Sequence, residues 1–405
     1  MPQFISKLIL LALLWPMSIR AIPLSERTCS TSKAIYFITN DGNNAVAAVP
    51  IGDDGTLSGG TVTETCGKGA NSIDGTTNQP AAPDALVSQS AVSVAGQYLF
   101  AVNAGSNTLS MLSIDAQDPT KLTMVGEPAS VPGEFPNTLA ASMKNKIVCV
   151  GSTGAKAGVS CSSFSQKGLG KMDSLREFNI GQSTPPVGPT NTVSQVLFSN
   201  DESTLLTMVK GDPTVNNTGF VATFPVNQAS FRRPASISMD GTLSSPSGTA
   251  VLFGTEPIPG TENFFVTDAS FGGTILSLDQ KAGQLSLKSK QAIGGQKATC
   301  WTTISQSSKS AFVTDVQVNH IVEMSLDNAR IIKEYDTSSV NAGPGFIDLA
   351  AAGNFVYALS PGNGTSEANV VVMDVSGGQG KAKIIQTFGL GALGAGKNSQ
   401  GMVAI

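Results

Sequence analysis

The feature of this sequence that most constrains its fold is a short apolar run that recurs seven times. Successive copies begin 45 to 63 residues apart, and short turns rich in Gly, Asp and Asn separate the strands around them. The copies are residues 35–40, 98–103, 147–151, 205–209, 264–268, 311–315 and 356–360. A repeat of this length accommodates one four-stranded antiparallel sheet, so seven copies predict an all-β, seven-bladed β-propeller.

A second apolar segment precedes every run except the first, and it predicts the innermost strand of each blade. These six segments are residues 88–94, 137–143, 194–199, 248–254, 299–304 and 345–350. The missing seventh segment stands at the end of the chain, where SQGMVAI (399–405) resembles SQSAVSV (88–94). We therefore expect the C-terminal strand to complete the first blade and to close the ring, which makes residues 22–405 one domain.

Residues 1–21 have the organisation of a secretory signal peptide. Lys7 precedes an apolar stretch, and Ala21 offers a small residue at the expected cleavage site. The stretch is shorter than the roughly twenty residues needed to cross a bilayer, so we expect no transmembrane anchor. The sequence thus predicts an extracellular protein, either free or associated with the cell wall. Its formal net charge of −4 argues against a nucleic-acid partner.

Five cysteines are an odd number for an oxidising compartment, so at least one has no partner within the chain. Cys149 and Cys161 flank a Gly/Ala/Ser turn and would face each other across a hairpin, which predicts a disulfide. Cys29 and Cys66 are the second predicted pair. Cys300 then stays unpaired, and its apolar surroundings predict a buried thiol.

Two N-glycosylation sequons begin at Asn216 and Asn363. Both lie in segments with Gly or Pro, which are typical of surface loops, so we expect these side chains to carry glycans. Charged residues make up only 13% of the chain, and glycans together with hydroxyl side chains would keep such a surface soluble.

The predicted ligand-binding residues begin the innermost strands, where the funnel of a propeller is lined. They are Gln89, Gln195, Gln400 and Trp301. Amides of this kind bind hydroxylated ligands but transfer protons poorly near neutral pH. His320 is the only histidine. It is a candidate catalytic acid or base, and the alternative is a solvated histidine in a turn.

Arg232 and Arg233 form the only tandem of basic side chains. Guanidinium groups pair bidentately with carboxylates and phosphates, so they are candidate ligand-binding residues; the alternative is a solvated cationic loop. A single histidine and the absence of a Cys-x-x-Cys pair predict no metal site, and no motif indicates a cofactor.

The repeats, the Tyr36–Gly42 opening and the inner strands of the Ser-Gln-apolar type at Ser88, Ser194 and Ser399 resemble the lactonase-type seven-bladed propellers. That family includes carboxymuconate cyclases and 6-phosphogluconolactonases. Among its members the chain most resembles secreted fungal 3-carboxymuconate cyclase-like proteins, some of which are cell-wall glycoproteins.

The resemblance implies catalytic histidines in a His-x-His-Gln-like pattern that enters an inner strand. In this sequence Gln195 matches the glutamine, but Thr192 and Ser194 stand at the histidine positions. Two interpretations follow. In the first, the protein has lost catalysis and binds a small carboxylate, a carbohydrate, or a host or cell-wall surface. In the second, it is an active cycloisomerase or lactonase that uses His320 or a carboxylate with Arg232 and Arg233.

Overall fold

The seven recurring runs all form buried β-strands, and the reason is their position in each sheet. The computed structural model describes residues 33–231 and 233–405. Each run forms the second strand of a four-stranded antiparallel sheet and is covered on both faces by neighbouring sheets, so it is apolar throughout rather than alternating. Outermost strands have fewer neighbours. Lys383–Gly389, for example, alternates between exposed and half-buried side chains.

The strands are described by their place in the seven blades, numbered 1 to 7. The innermost strands are Gln400–Ala404, Val92–Ala95, Pro136–Ser142, Val193–Phe198, Leu252–Pro257, Thr299–Ser305 and Leu349–Ala352. The second strands are Lys33–Ile38, Tyr98–Asn103, Ile147–Ser152, Thr204–Val209, Asn263–Asp268, Ser310–Asp315 and Phe355–Ser360. The third strands are Ala45–Ile51, Thr108–Ile114, Gly158–Ser165, Phe220–Asn227, Gly272–Asp279, His320–Ser325 and Asn369–Asp374.

The outermost position is one strand in four blades and two short strands in the other three. The single strands are Thr61–Glu64, Gln284–Ala292, Ile331–Asp336 and Lys383–Gly389 in blades 1, 5, 6 and 7. The split pairs are Leu122–Met124 with Ala129–Ser130, Gly168–Leu169 with Arg176–Glu177, and Ser236–Ile237 with Thr242–Ser244 in blades 2, 3 and 4. Two 3₁₀ helices, Pro213–Val215 and Gly391–Leu393, lie in connecting loops. None of the helices in the described ranges is long and apolar enough to span a membrane.

The C-terminal strand closes the ring, as the sequence predicts. Gln400–Ala404 pairs antiparallel with Lys33–Ile38, and Ile35 lies opposite Ala404. The innermost strands contact one another around the whole circle, including blade 7 with blade 1 and blade 1 with blade 2. The all-β seven-bladed fold is therefore confirmed. Some strand boundaries predicted from the sequence are wrong. The inner strand of blade 5, for example, begins at Leu252 rather than at residue 248.

The core lies between the blades, where buried apolar clusters each join residues of adjacent sheets.

Within blade 3, Cys149 and Cys161 lie directly opposite each other in register and form the expected disulfide. Cys66 is exposed, and Cys29 lies outside the described residues. Their pairing stays a prediction.

The ring has two faces, which differ in how the chain covers them. We call the face where the innermost strands begin the upper face, and the other the lower face. Residues 67–90, here named the cap segment, connect blade 1 to blade 2 on the upper face. Within it, Ile73–Asp74 pairs in parallel with Val187–Gly188 from the connection between blades 3 and 4. The segment thus reaches across the ring toward blade 4. Residues 1–21 and Arg232 lie outside the described residues.

Candidate functional site on the upper face

The cap segment is held on the upper face by hydrogen bonds at both of its sides. The Ile73 amide donates to the Pro186 carbonyl oxygen at 2.8 Å, and the Gly75 amide donates to the Gly188 oxygen at 2.9 Å. At the other side, Asn71 Nδ2 donates to Asn398 Oδ1 at 2.9 Å. These bonds fix the cap to blade 4 and to the loop before the closing strand.

A pocket of about 130 Å³ lies between the cap segment and blades 4 to 6. The cap contributes Asp84 and Val87, while the ring contributes Lys210, Phe253 and Cys300. Most of the remaining wall is apolar: Ala81, Pro83, Pro189, Val251, Ala269, Ala298 and Val316. The arrangement is a small, largely apolar chamber with three ionisable groups, Asp74, Asp84 and Lys210, and a thiol, which is the composition expected of a small-molecule site.

Lys210 follows the second strand of blade 4 and is only 1% exposed. Its Nζ donates to the Val87 carbonyl oxygen at 2.6 Å and lies 4.4 Å from the centroid of the Phe253 ring. Lys210 forms no salt bridge within the described residues. Burial lowers the pKa of this amine to about 8, although nearby Asp84 and Cys300 act in the opposite direction.

Asp84 is the buried acid of the pocket; the second lining acid, Asp74, accepts hydrogen bonds from Thr77 and Thr76, which lower its pKa. Burial raises the pKa of its carboxyl to about 6, with Lys210 and the Val87 amide opposing the shift. Its buried Oδ1 has no hydrogen-bond partner in the described part of the chain. Asp84 and Lys210 both contact the backbone of Val87, so this one residue holds the acid and the amine on the same wall.

Cys300 is buried and unpaired, as the sequence predicts. Burial raises the pKa of its thiol well above the usual range, with nearby Asp84 adding to the effect. Since the thiolate is the reactive form, Cys300 is a poor nucleophile here. The chemistry of the pocket therefore depends on Asp84 and Lys210, which both change protonation state between about pH 6 and pH 8. Such a pair can bind an anion through the ammonium group or transfer a proton.

Most of the side chains predicted to bind a ligand instead seal the centre of the ring. Gln89 reaches from blade 2 to blade 6, where its Nε2 donates to the Thr302 carbonyl oxygen at 2.8 Å and its Oε1 accepts from the Thr302 amide at 3.1 Å. Trp301 crosses in the other direction, and its Nε1 donates to the Ser88 oxygen at 3.1 Å. The polar groups of Gln89 and Trp301 are therefore occupied by backbone.

Gln195 and Gln400 differ in their side-chain hydrogen bonds, although the sequences of their strands resemble each other. Gln195 Oε1 accepts from the Thr255 amide at 2.6 Å, and its Nε2 donates to Ser90 Oγ at 3.1 Å. Gln195 also lines a second pocket of about 250 Å³ on the lower face. Gln400 is fully buried, and neither end of its amide has a hydrogen-bond partner in the described ranges.

The structure does not bring His320 and Arg233 together. His320 begins the third strand of blade 6 and lies opposite Asp336 of the outermost strand, outside the pocket lining. Arg233 is exposed in the connection between the third and outermost strands of blade 4, on the lower face. An active site built from His320 with Arg233 is therefore excluded by their positions. Among the described residues, no group of three or more His, Cys, Asp or Glu could hold a metal.

Asp348 and Glu256 are two acids that sequence reasoning missed. Asp348 is 1% exposed, and its Oδ2 accepts from the Met402 amide at 2.9 Å. Burial raises its pKa to about 7. Glu256 lines the lower pocket, and burial together with Asp348 raises its pKa to about 8. Since Asp348 also interacts with Asp84, three coupled acids extend from the upper to the lower pocket.

Lys210 and Asp84 were also missed, although Lys210 carries a signal. At the position just beyond the second strand, blades 2, 5 and 6 have Ala104, Ala269 and Val316, while blade 4 has this lysine. Blades 1, 3 and 7 have the uncharged Thr39, Thr153 and Pro361 there, so a single charge at this position indicates a role particular to blade 4. Asp84 carries no comparable signal, because its segment is not repeated.

No protein-family model matches the sequence, and no curated protein is similar to it in sequence. Solved structures do share its fold. A candidate 6-phosphogluconolactonase from Bacteroides fragilis has a TM-score of 0.63 and 12% identity, over 93% of this chain and 99% of that chain. A second, from Bacteroides uniformis, has a TM-score of 0.58 and 12% identity over 88% and 98%. A functionally unknown protein from Desulfotomaculum acetoxidans has a TM-score of 0.54 and 12% identity over 92% and 98%.

Identities this low establish a shared fold and nothing about activity. The structural similarity to the two Bacteroides proteins supports the resemblance to lactonase-type propellers at the level of architecture. The fungal origin and the carboxymuconate specificity that the resemblance implies stay predictions.

Proposed function

We propose that the protein is an exported, glycosylated β-propeller that binds a small carboxylic acid in the upper-face pocket and does not turn it over. The observation that carries this proposal is the buried ammonium group of Lys210, which has no salt bridge in the described part of the chain. Burying a charge without a direct ion pair is costly, and Asp84 and the Phe253 ring offset this cost only in part, so a ligand carboxylate would supply the direct ion pair.

The walls of the pocket suit the rest of such a ligand. Phe253, Val251 and Pro83 offer apolar surface for a short hydrocarbon chain. Asp84 would repel a second carboxylate when it is ionised, so acids with a single carboxylate are favoured above about pH 6. The pocket is too small for a polysaccharide chain, which separates this proposal from the carbohydrate alternative.

Calorimetric titration with three- to six-carbon monocarboxylic acids at pH 6.5 to 7 tests the proposal. We expect saturable binding by the parent and at least about a tenfold loss in Lys210→Met, which removes the charge and keeps the length of the chain. Lys121→Met, an exposed lysine far from the pocket in sequence, should bind like the parent. Equal binding by Lys210→Met and the parent would reject the assignment of the pocket.

Binding should also weaken as the pH rises through about 8, because Lys210 then loses its proton. A titration that keeps the same affinity at pH 9.5 would contradict the role of the ammonium group.

A second candidate function is lactone hydrolysis, favoured by the Asp84 carboxyl beside Lys210. An ionised Asp84 can accept a proton from water, and a protonated Lys210 can donate to the ring oxygen that leaves. Proton release from small lactones measures this reaction. Turnover that falls at least about 100-fold in Asp84→Asn and persists in His320→Ala would replace the noncatalytic proposal by this one. Turnover that disappears in His320→Ala instead would point to His320.

Export and glycosylation can be measured directly on secreted protein. Both sequons lie on the upper face, in the connections between second and third strands of blades 4 and 7, and Asn216 and Asn363 are exposed. We expect an N-terminus near Ile22 and a mass above that of the polypeptide, which enzymatic deglycosylation reduces. Secreted protein that begins at Met1 would contradict the signal peptide.

A further inference from the structure

The upper-face pocket also contains a nucleophile that charge-based binding does not use. Lys210 Nζ donates one hydrogen to the Val87 carbonyl oxygen and is otherwise surrounded by the Phe253 ring and the apolar walls. When the amine is neutral, this donation leaves its lone pair free. A desolvated lysine beside a small apolar chamber is a common arrangement for covalent chemistry on carbonyl groups.

We propose that Lys210 captures small, uncharged aldehydes or ketones as an imine, with Asp84 transferring the proton that the reaction requires.

The reaction needs no oxidant or reductant. The neutral Nζ attacks the carbonyl carbon, a C–N bond forms, and the π electrons of the carbonyl become a lone pair on its oxygen. A proton moves from nitrogen to this oxygen and gives a carbinolamine. Asp84 in its acid form then protonates the hydroxyl group, which leaves as water while the nitrogen lone pair forms the C=N bond of an iminium ion. The iminium N–H proton returns to the Asp84 carboxylate, which gives the imine and restores the acid. One water is released per imine, and hydrolysis reverses the sequence.

The ionisation of the pocket supports this assignment. Asp84 and Cys300 raise the pKa of Lys210, and burial outweighs both of them and sets it to about 8; Asp74 is the other titratable group that lines the pocket. At pH 7 the neutral fraction of such an amine exceeds that of an ordinary surface lysine by about two orders of magnitude. Asp84, with a pKa of about 6, retains enough of its acid form at that pH to donate a proton.

Imine capture does not rest on the proposed binding of acids. Binding requires the ammonium form of Lys210 and a negative ligand, whereas capture requires the neutral amine and an uncharged carbonyl compound. Each can fail without the other, because the two experiments use different ligands and opposite pH dependence.

The test is reductive trapping of the full-length secreted protein with propanal and sodium cyanoborohydride at pH 7, followed by peptide mass mapping over time. We expect propylation of Lys210 at least about tenfold faster than that of the exposed Lys121 and Lys281. The rate at Lys210 should rise with pH and level off above about 8. Labelling of Lys210 no faster than of Lys121 and Lys281 would overturn the proposal.

Two variants test whether a loss of labelling at Lys210 results from the loss of its chemistry or from misfolding. Lys210→Arg keeps the cation and cannot form an imine, so it should lose the fast labelling phase while melting within a few degrees of the parent. Fast labelling that persists elsewhere in Lys210→Arg would overturn the assignment to this residue. Asp84→Asn should slow the labelling of Lys210 at least about tenfold without affecting Lys121 or Lys281. An unchanged rate would overturn the role of Asp84.

Discussion

Gln89 and Gln400 show at the scale of single residues that the same side chain can have different effects on stability at similar positions of a repeated fold. Both follow a serine; Gln400 begins the innermost strand of blade 1, and Gln89 lies three residues before that of blade 2. Gln89 pairs with the Thr302 amide and carbonyl across the ring, and Gly254 leaves room for this crossing because a side chain there would collide with Gln89 Oε1. Gln400 is buried without a hydrogen-bond partner among the described residues. Its amide therefore carries the cost of desolvation without compensation.

Replacing each of these glutamines by methionine, which has a similar shape, gives a matched pair of predictions. Gln89→Met leaves a buried donor and a buried acceptor of Thr302 unpaired, so we expect the free energy of unfolding to fall by about 2 to 4 kcal/mol. Gln400→Met removes an unsatisfied amide and should be neutral or stabilising. Chemical denaturation measures both. A larger loss in Gln400→Met than in Gln89→Met would show that the hydrogen-bond argument is wrong.

At the scale of elements, the closing strand and the cap segment have different roles. Gln400–Ala404 completes blade 1 and contacts the innermost strands of blades 7 and 2, so it joins both sides of the ring. The cap segment adds no strand to a blade; its short strand pairs with the connection before blade 4 and bridges to Pro80 within the cap. The closing strand is thus required for the fold, while the cap supplies Asp84 and the roof of the pocket.

Deleting residues 399–405 should destabilise the entire molecule. The deletion removes the partner of Lys33–Ile38, uncovers the apolar faces next to Met402, and opens a free sheet edge. We expect the loss of several kcal/mol, on the scale of about 1.5 to 3 kcal/mol per buried aliphatic side chain. Thermal melting of the truncated protein measures this loss. Val62→Ser, on the exposed outer strand of the same blade, is the control and should change stability by less than about 0.5 kcal/mol.

For the whole molecule, the dominant electrostatic feature is the line of acids formed by Asp84, Asp348 and Glu256. Burial raises their pKa values to about 6, 7 and 8, and Asp348 interacts with both of the others. Unfolding restores ordinary pKa values near 4. Above about pH 5 the acids with lowered pKa values are ionised in both states, whereas these three acids hold more protons in the folded protein than in the unfolded chain. Their contribution to the free energy of unfolding therefore decreases as the pH rises from about 5 to 8.

Glu256→Gln tests this pH dependence with little change of shape, because the Glu256 carboxylate makes no hydrogen bond or salt bridge within residues 33–231 and 233–405. The parent should melt at a lower temperature at pH 8.5 than at pH 5. Glu256→Gln should reduce that difference by about 2 °C or more, chiefly through a higher melting temperature at pH 8.5. Glu334→Gln, at an exposed position, should behave like the parent. A parent that is more stable at pH 8.5 than at pH 5 would contradict the assigned shifts.

The sequence alone determined the number of blades, the closure by residues 399–405 and the Cys149–Cys161 bond. Each of these follows from a local pattern, because strand pairing within a blade joins segments that are close in the chain or equivalent in the repeat. The tertiary structure alone decided the candidate site. Asp84 and Lys210 are far apart in sequence and meet only because the cap segment crosses the ring, and Gln89 is removed from ligand binding by a partner in blade 6. Distances across the axis depend on how all seven sheets pack together, and no spacing within the repeat encodes them.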